Sequence, residues 1–291
     1  GLLGGKVRDN IRAYNTCAGS HYIRKHPTQG TKNFGLNNNG NYEDLEGFLK
    51  NPVDLAYSLL DSGITAMKIW PFDFAAEKSQ GQYISSEDMK KSLEPFDKIR
   101  KALGDKMDIM AELHSMWNKP QAINICRELE NYSPLWIEDP VFMDHISTLA
   151  EVCNATLAPI AVGETRGGRS DYRSLLELNS LSQIIMDISW GGGLSEANKV
   201  SSMAEVWHIP IAFHDCTGPV TLTASTHLAL SNSNCYIQEM VRAFYYGWYS
   251  DLVTKLPPIK NGYITVPEGN GLGLALQKDV YKRKDVHIKS S

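Results

Sequence analysis

The middle of the chain alternates short apolar runs with longer segments of helical periodicity. Three of the runs close on a glutamate: Ile109-Met110-Ala111-Glu112, Pro134-Leu135-Trp136-Ile137-Glu138 and Pro159-Ile160-Ala161-Val162-Gly163-Glu164. Each has the length of a buried strand. Each glutamate lies 26 residues from the next, about one strand, one helix and two loops. The pattern predicts a β/α repeat with a carboxylate at each strand's C-terminal end. In a closed parallel barrel those ends meet at one mouth, so the three carboxylates would converge there and repel one another unless a cation sits between them.

The same alternation runs through the rest of the chain. Val7 to Cys17 reads as a first strand, Ile11, Ala13 and Asn15 alternating with Arg12, Tyr14 and Thr16. Ala18 to Asn51 is polar and rich in Gly, Asn and Lys; it is expected to form no packed element of its own, and to be either a functional, mobile loop or a disordered surface insertion. Val53, Ala56, Leu59 and Leu60 share one helical face from Pro52 to Ser62, with Gly63 placed as a C-cap. Thr65 to Trp70 is the second strand, and Ser86 to Leu103 a helix with Ser85 or Ser86 as N-cap and Gly104 as its stop. Further helices are predicted over 120–131, 144–154, 170–179, 194–207 and 219–230. The intervening strands are 183–187, 209–214 and 236–239, which makes eight strands in all. The fold class is therefore α/β, a TIM-type barrel. Past Pro257, Tyr263 to Val266 is strand-like, and Gly269-x-Gly271-x-Gly273 lacks the flanking elements of a phosphate loop.

Composition narrows the classes. With 291 residues, 42% hydrophobic and 21% charged, the chain can bury one large core. A net charge of −4 without a basic run gives no footprint for nucleic acid, and no apolar run is long enough for a membrane. The five cysteines (Cys17, Cys126, Cys153, Cys216, Cys235) include no Cys-x-x-Cys pair and read as reduced thiols of a cytoplasmic protein. The expected partner is a small molecule.

Strand ends carry the candidate chemistry: Lys68, Glu112 with His114, Glu138, Glu164, Asp187, His214 and Glu239. A lysine inside an apolar run is unfavourable unless a carboxylate or a substrate anion pairs with it. Three glutamates without cysteine or histidine favour a hard cation, Mg²⁺ or Mn²⁺ rather than Zn²⁺. Such an ion keeps positions open for a substrate carboxylate. At about 4 Å and an effective dielectric of about 20, a unit charge contributes roughly 4 kcal/mol and a divalent ion about twice that, so the cation and not Lys68 would carry most of the stabilisation of an enolate.

Taken together, Lys68, Glu112, Glu138 in Ile-Glu-Asp-Pro, Glu164 in Val-Gly-Glu-Thr, Asp187 before Gly-Gly, His214 and Glu239 resemble the enolase superfamily. The subgroup is that of mandelate racemase and muconate lactonizing enzyme, and the acid-sugar dehydratases such as galactonate and mannonate dehydratase are the nearest in pattern. The resemblance implies a (β/α)7β barrel over residues 7–256 with a C-terminal tail over 257–291. It implies one Mg²⁺ on Glu112, Glu138 and Glu164, an Asp187–His214 acid/base dyad, His114 working on the opposite side of the substrate, and Glu239 and Lys68 holding the substrate carboxylate. Trp70, Asp139 and Arg166 are the candidate substrate-binding residues, and a homo-oligomer is expected. The pattern departs from the family in two places. Trp70 stands where many relatives have the second lysine of Lys-x-Lys, so that base is absent, and Glu112 replaces the aspartate of Asp-x-His. The family's N-terminal capping domain would end in a linker here represented by residues 1–6, and it would raise turnover by closing the mouth. Without it the long loop, with His21, Tyr22, Arg24 and Lys25 placed to meet a polar substrate, is expected to be mobile. Dehydration of a sugar acid is the implied reaction. Racemisation, epimerisation or cycloisomerisation through the same enolate, and a non-catalytic sugar-acid binder, stay open at this stage.

Overall fold

The computed structural model describes residues 2–22 and 30–289. Eight strands follow the predicted order: β1 Ile11–Thr16, β2 Ala66–Ile69, β3 Asp108–Glu112, β4 Trp136–Glu138, β5 Ile160–Val162, β6 Gln183–Met186, β7 Ile211–Phe213 and β8 Ile237–Met240. They form one curled parallel sheet in which each strand from β1 to β6 pairs with the next and β8 pairs with the other side of β1. Among the described residues β7 and β8 share no ladder. The Ile211 N–H donates to the Asn234 carbonyl at 3.0 Å and the Gln238 amide donates to the Phe213 carbonyl at 3.0 Å, so the two edges meet. A hairpin of β9 Ile259–Lys260 and β10 Tyr263–Ile264 returns the tail antiparallel to β1, pairing Ile264 with Ile11.

The strands are largely apolar because both of their faces are buried. One face packs outward against the helices, with Ile69, Ile109, Ile137 and Ile160 in the main core. The other faces inward and forms a separate small core with one residue from each of the eight strands, from Tyr14 on β1 to Ile237 on β8. Trp136, edge-on to Tyr14 at 5.3 Å, is the largest of its side chains. The interior is therefore a packed plug and not a pore.

Helices fall where the apolar spacing puts them. The helix Ser86–Leu103 starts at Ser85, whose Oγ accepts the Asp88 N–H at 3.0 Å, and stops at Gly104, which takes φ +57°. The expectation for residues 18–51 is corrected. A helix, Asp44–Lys50, lies inside that stretch and buries Leu45 and Phe48, while Phe34 is also fully buried. Polar composition hid the element, since only Leu45, Phe48 and Leu49 mark its buried face. A buried ion pair anchors it: Arg242 grips Asp44 with Nε at 2.6 Å and Nη2 at 2.7 Å. Asp44 also accepts from the Asn15 amide at 2.8 Å. Arg242→Ala would strand the Asp44 carboxylate and is expected to destabilise the protein by about 3 kcal/mol, read by urea unfolding. A loss under about 1 kcal/mol would mean that this segment is not held as described. A second unanticipated helix, Asp73–Ser79, follows β2. Of the loop residues expected near a substrate, Arg24 and Lys25 lie outside the described residues, and His21 is exposed.

Candidate active site

A two-residue step builds the site. Successive side chains on a strand point to opposite faces, so the residue two beyond each inward-facing core residue points inward too, one layer nearer the C-terminal mouth. Counting on from the inner core, that rule delivers Thr16, Lys68, Glu112, Glu138, Asp187, His214 and Glu239. On β5 the position falls at Gly163, and Glu164 follows. Gly163 has φ +129°, and a Cβ there would meet the Ile185 carbonyl at 2.6 Å. The Tyr172 hydroxyl donates to its carbonyl at 2.8 Å, which fixes the turn that carries Glu164.

The three glutamates come together. One carboxylate oxygen from each of Glu112, Glu138 and Glu164 lies within 4.8 Å of the others. Glu112 and Glu138 are directly opposed across β3 and β4. Trp136 Nε1 donates to Glu138 Oε2 at 2.8 Å from below. Lys68 reaches the same centre, its ammonium 2.7 Å from Glu138, 3.1 Å from Glu239 and 3.2 Å from Glu112. Its partners here are protein carboxylates. Burial alone would lower the Lys68 pKa, but Glu138 and Glu239 override it and keep the ammonium charged. One ammonium does not balance this group. Burial pushes Glu138 up to about 8 against the pull of Lys68, with Glu112 adding to the rise. Among the described residues Glu112 Oε2 has no aligned hydrogen-bond donor, although Lys68 is near. Excess carboxylate, all-oxygen donors and an unsatisfied oxygen fit a hard divalent cation held by Glu112, Glu138 and Glu164.

Two histidines flank the carboxylates, each backed by an aspartate. His214 Nδ1 is 2.8 Å from Asp187 Oδ2, and its Nε2 is 3.4 Å from Glu164. Asp187 is itself held by the backbone N–H groups of Ser189 and Trp190 and by the Thr217 hydroxyl. Burial would raise its pKa, yet His214 and these donors bring it below the ordinary aspartate value. On the other side, His114 Nδ1 is 2.8 Å from Asp73 Oδ2. The backbone at His114 is left-handed, φ +49°, and its N–H donates to Glu112 Oε1 at 2.7 Å. Both imidazoles would be driven neutral by burial alone. The neighbouring carboxylates outweigh it, raising His114 to about 10, through Asp73 and Glu112, and His214 well above its ordinary value, through Glu164 and Glu239. Glu239 closes the ring, accepting from the Thr16 hydroxyl and from the Asp215 N–H.

Above these groups opens a cavity of about 650 Å³, of a size for a small ligand. Trp70 and Asp139 line it, although Asp139 is only 1% exposed and receives the Gly163 N–H at 3.3 Å. Arg166 does not line it; its backbone closes the Gly163 turn. Sequence reasoning missed Asp73, Thr16 and the aromatic rim of Phe142, Trp190 and Trp248. Asp73 stands two residues past Pro71, which follows β2, where an acid reads as an ordinary helix-start residue. Thr16 was within reach of the two-residue step.

Comparison with known proteins shows the family of the chain. Residues 52–280 match the model of the family described as enolase C-terminal domain-like. The chain is 31% identical over 198 residues to a D-xylonate dehydratase of Haloferax volcanii, covering 68% of this chain and 48% of that one. It is 27% identical over 285 residues to a D-galactonate dehydratase of Ralstonia pickettii, covering 95% and 65%. The chain thus spans about half to two-thirds of the length of these curated relatives. A solved structure of an enolase of the mandelate racemase subgroup from Agrobacterium tumefaciens superposes with a TM-score of 0.82 at 50% identity, covering 97% of this chain and 67% of that one.

Proposed function

From a chain that belongs to the enolase C-terminal domain-like family, we propose a lyase that removes water from a sugar acid with the help of a bound Mg²⁺. The single observation that carries this reading is the pair of aspartate-held histidines on either side of the carboxylate group. We also read the curled sheet as a closed (β/α)7β barrel over 7–256, with residues 257–291 as a tail. In such a ring β3 and β7 lie opposite one another, so His114 and His214 face the two sides of a ligand at the centre.

A cation on Glu112, Glu138 and Glu164 would neutralise the charge that grows on the substrate carboxylate as the α-proton leaves. With Glu164 engaged by that cation, the carboxylate charge that holds His214 protonated would be withdrawn, and the neutral Nε2 takes the proton, with Asp187 on Nδ1 fixing the ring and favouring the imidazolium that forms. The C–H electron pair becomes the new C=C bond, the β-carbon–oxygen bond breaks, and the hydroxyl leaves as water with a proton from His114. The enol then tautomerises to a 2-keto-3-deoxy acid. Lys68 and Glu239 set the charge beneath the substrate carboxylate, and the aromatic rim with Trp70 excludes water, which strengthens each of these interactions. The relatives named as D-xylonate and D-galactonate dehydratases support a polyhydroxy acid as substrate.

Incubating the protein and Mg²⁺ with a panel of sugar acids, scored for 2-keto acid, should give product with a subset of the panel and none after chelation. Tight Mg²⁺ binding without conversion of any acid would favour a binding protein instead.

A further inference from the structure

We propose that Asp73 is a positioning residue for His114, accepting its Nδ1 proton so that Nε2 is turned to the cavity; the catalytic consequence rests on the dehydratase reading above. The carboxylate is fully buried, and its ion pair is with His114 at 2.8 Å. Its other oxygen, Oδ1, has no hydrogen-bond partner among the described residues. A buried carboxylate with one satisfied oxygen is strongly unfavourable. Asp73 is no helix cap either: it opens the helix Asp73–Ser79, whose N-terminus receives no side-chain hydrogen bond.

Contrast with Asp187 sharpens the point. Asp187 takes two backbone N–H groups and a hydroxyl besides His214, so the turn after β6 alone would justify it. Asp73 has no comparable structural employment. The histidine it meets is constrained from two further directions, by the left-handed backbone locked to Glu112 and by the Trp70 ring, edge-on at 5.7 Å. With Nδ1 taken, Nε2 is the nitrogen left to meet a ligand, and His114 lines the cavity. The two histidines are then equivalent devices reached by different routes. One aspartate arrives from a strand end, the other from a helix that the strand pattern does not announce.

The test uses Asp73→Asn, which keeps the shape and removes the charge. In the wild-type protein with ¹⁵N-labelled histidine, the Asp73–His114 hydrogen bond should give a slowly exchanging low-field imidazole proton that disappears in Asp73→Asn. Its absence from the wild type would overturn the pairing without reference to any substrate. In kinetics, Asp73→Asn should lower kcat for dehydration at least about tenfold, while exchange of the substrate α-proton with deuterium, the work of His214, stays within about twofold of wild type. Equal losses of dehydration and exchange, or no loss of either, would overturn the positioning role. If no sugar acid is converted by the wild type, the functional reading fails, and the low-field proton still decides whether Asp73 holds His114.

Discussion

Replacing His214 with asparagine is expected to eliminate both dehydration and exchange of the substrate α-proton with solvent deuterium, whereas His114→Asn should eliminate dehydration and leave the exchange. The two rings have different duties in the proposed sequence. His214 breaks the C–H bond, and without it nothing downstream occurs; His114 delivers the proton that lets the β-hydroxyl leave, so its loss strands an intermediate that returns to substrate carrying deuterium. General acid or base catalysis by a positioned histidine contributes about 10²- to 10⁴-fold, and each single substitution should lower dehydration by that order. Mass spectrometry of recovered substrate after incubation in D₂O separates the variants. The opposite pattern, with exchange surviving in His214→Asn and lost in His114→Asn, would reverse the assignment of base and acid.

Glu138→Gln should weaken Mg²⁺ binding by at least about 100-fold, roughly 2.7 kcal/mol, and remove activity with it. Glu138 is the middle member of the triplet, opposite Glu112 on the neighbouring strand and in contact with Lys68 at 2.7 Å. Its single amide oxygen could accept from Trp136 or from Lys68 but not from both, since the two meet different oxygens of the carboxylate, while Lys68 would keep Glu112 and Glu239 as ion-pair partners. The fold is therefore expected to survive, with little change in the thermal midpoint, since relief of carboxylate repulsion offsets the loss of one ion pair. Calorimetry with Mg²⁺ and a thermal melt by circular dichroism check the two halves. An unaltered Mg²⁺ affinity in a folded variant would sink the three-glutamate site.

What could be read in the sequence was whatever depends on periodicity. Parallel strands buried on both faces stand out as apolar runs, and a polar residue closing such a run has few structural reasons to be there. Lys68, Glu112, Glu138, Glu164, Asp187, His214 and Glu239 were visible in this way, and all sit at the carboxylate group or beside it. The helix over Asp44–Lys50 was not. Its buried face is only a few residues wide, and it is held by Arg242, 198 positions away. Asp73 was equally hidden, because its partner is 41 residues distant and a carboxylate beside the end of a strand carries no periodic signature. Arg166 lies outside the cavity lining, and its backbone N–H closes the turn at Gly163.

The most direct test of a dehydratase with two opposed histidines is the mass and deuterium content of the product formed from a converted sugar acid in D₂O. The account predicts a 2-keto-3-deoxy acid, lighter than the substrate by one water and carrying solvent deuterium at the former β-carbon. An isomer of the substrate with no loss of water, deuterated only at the α-carbon, would show that the two histidines exchange protons across one carbon, and would contradict it.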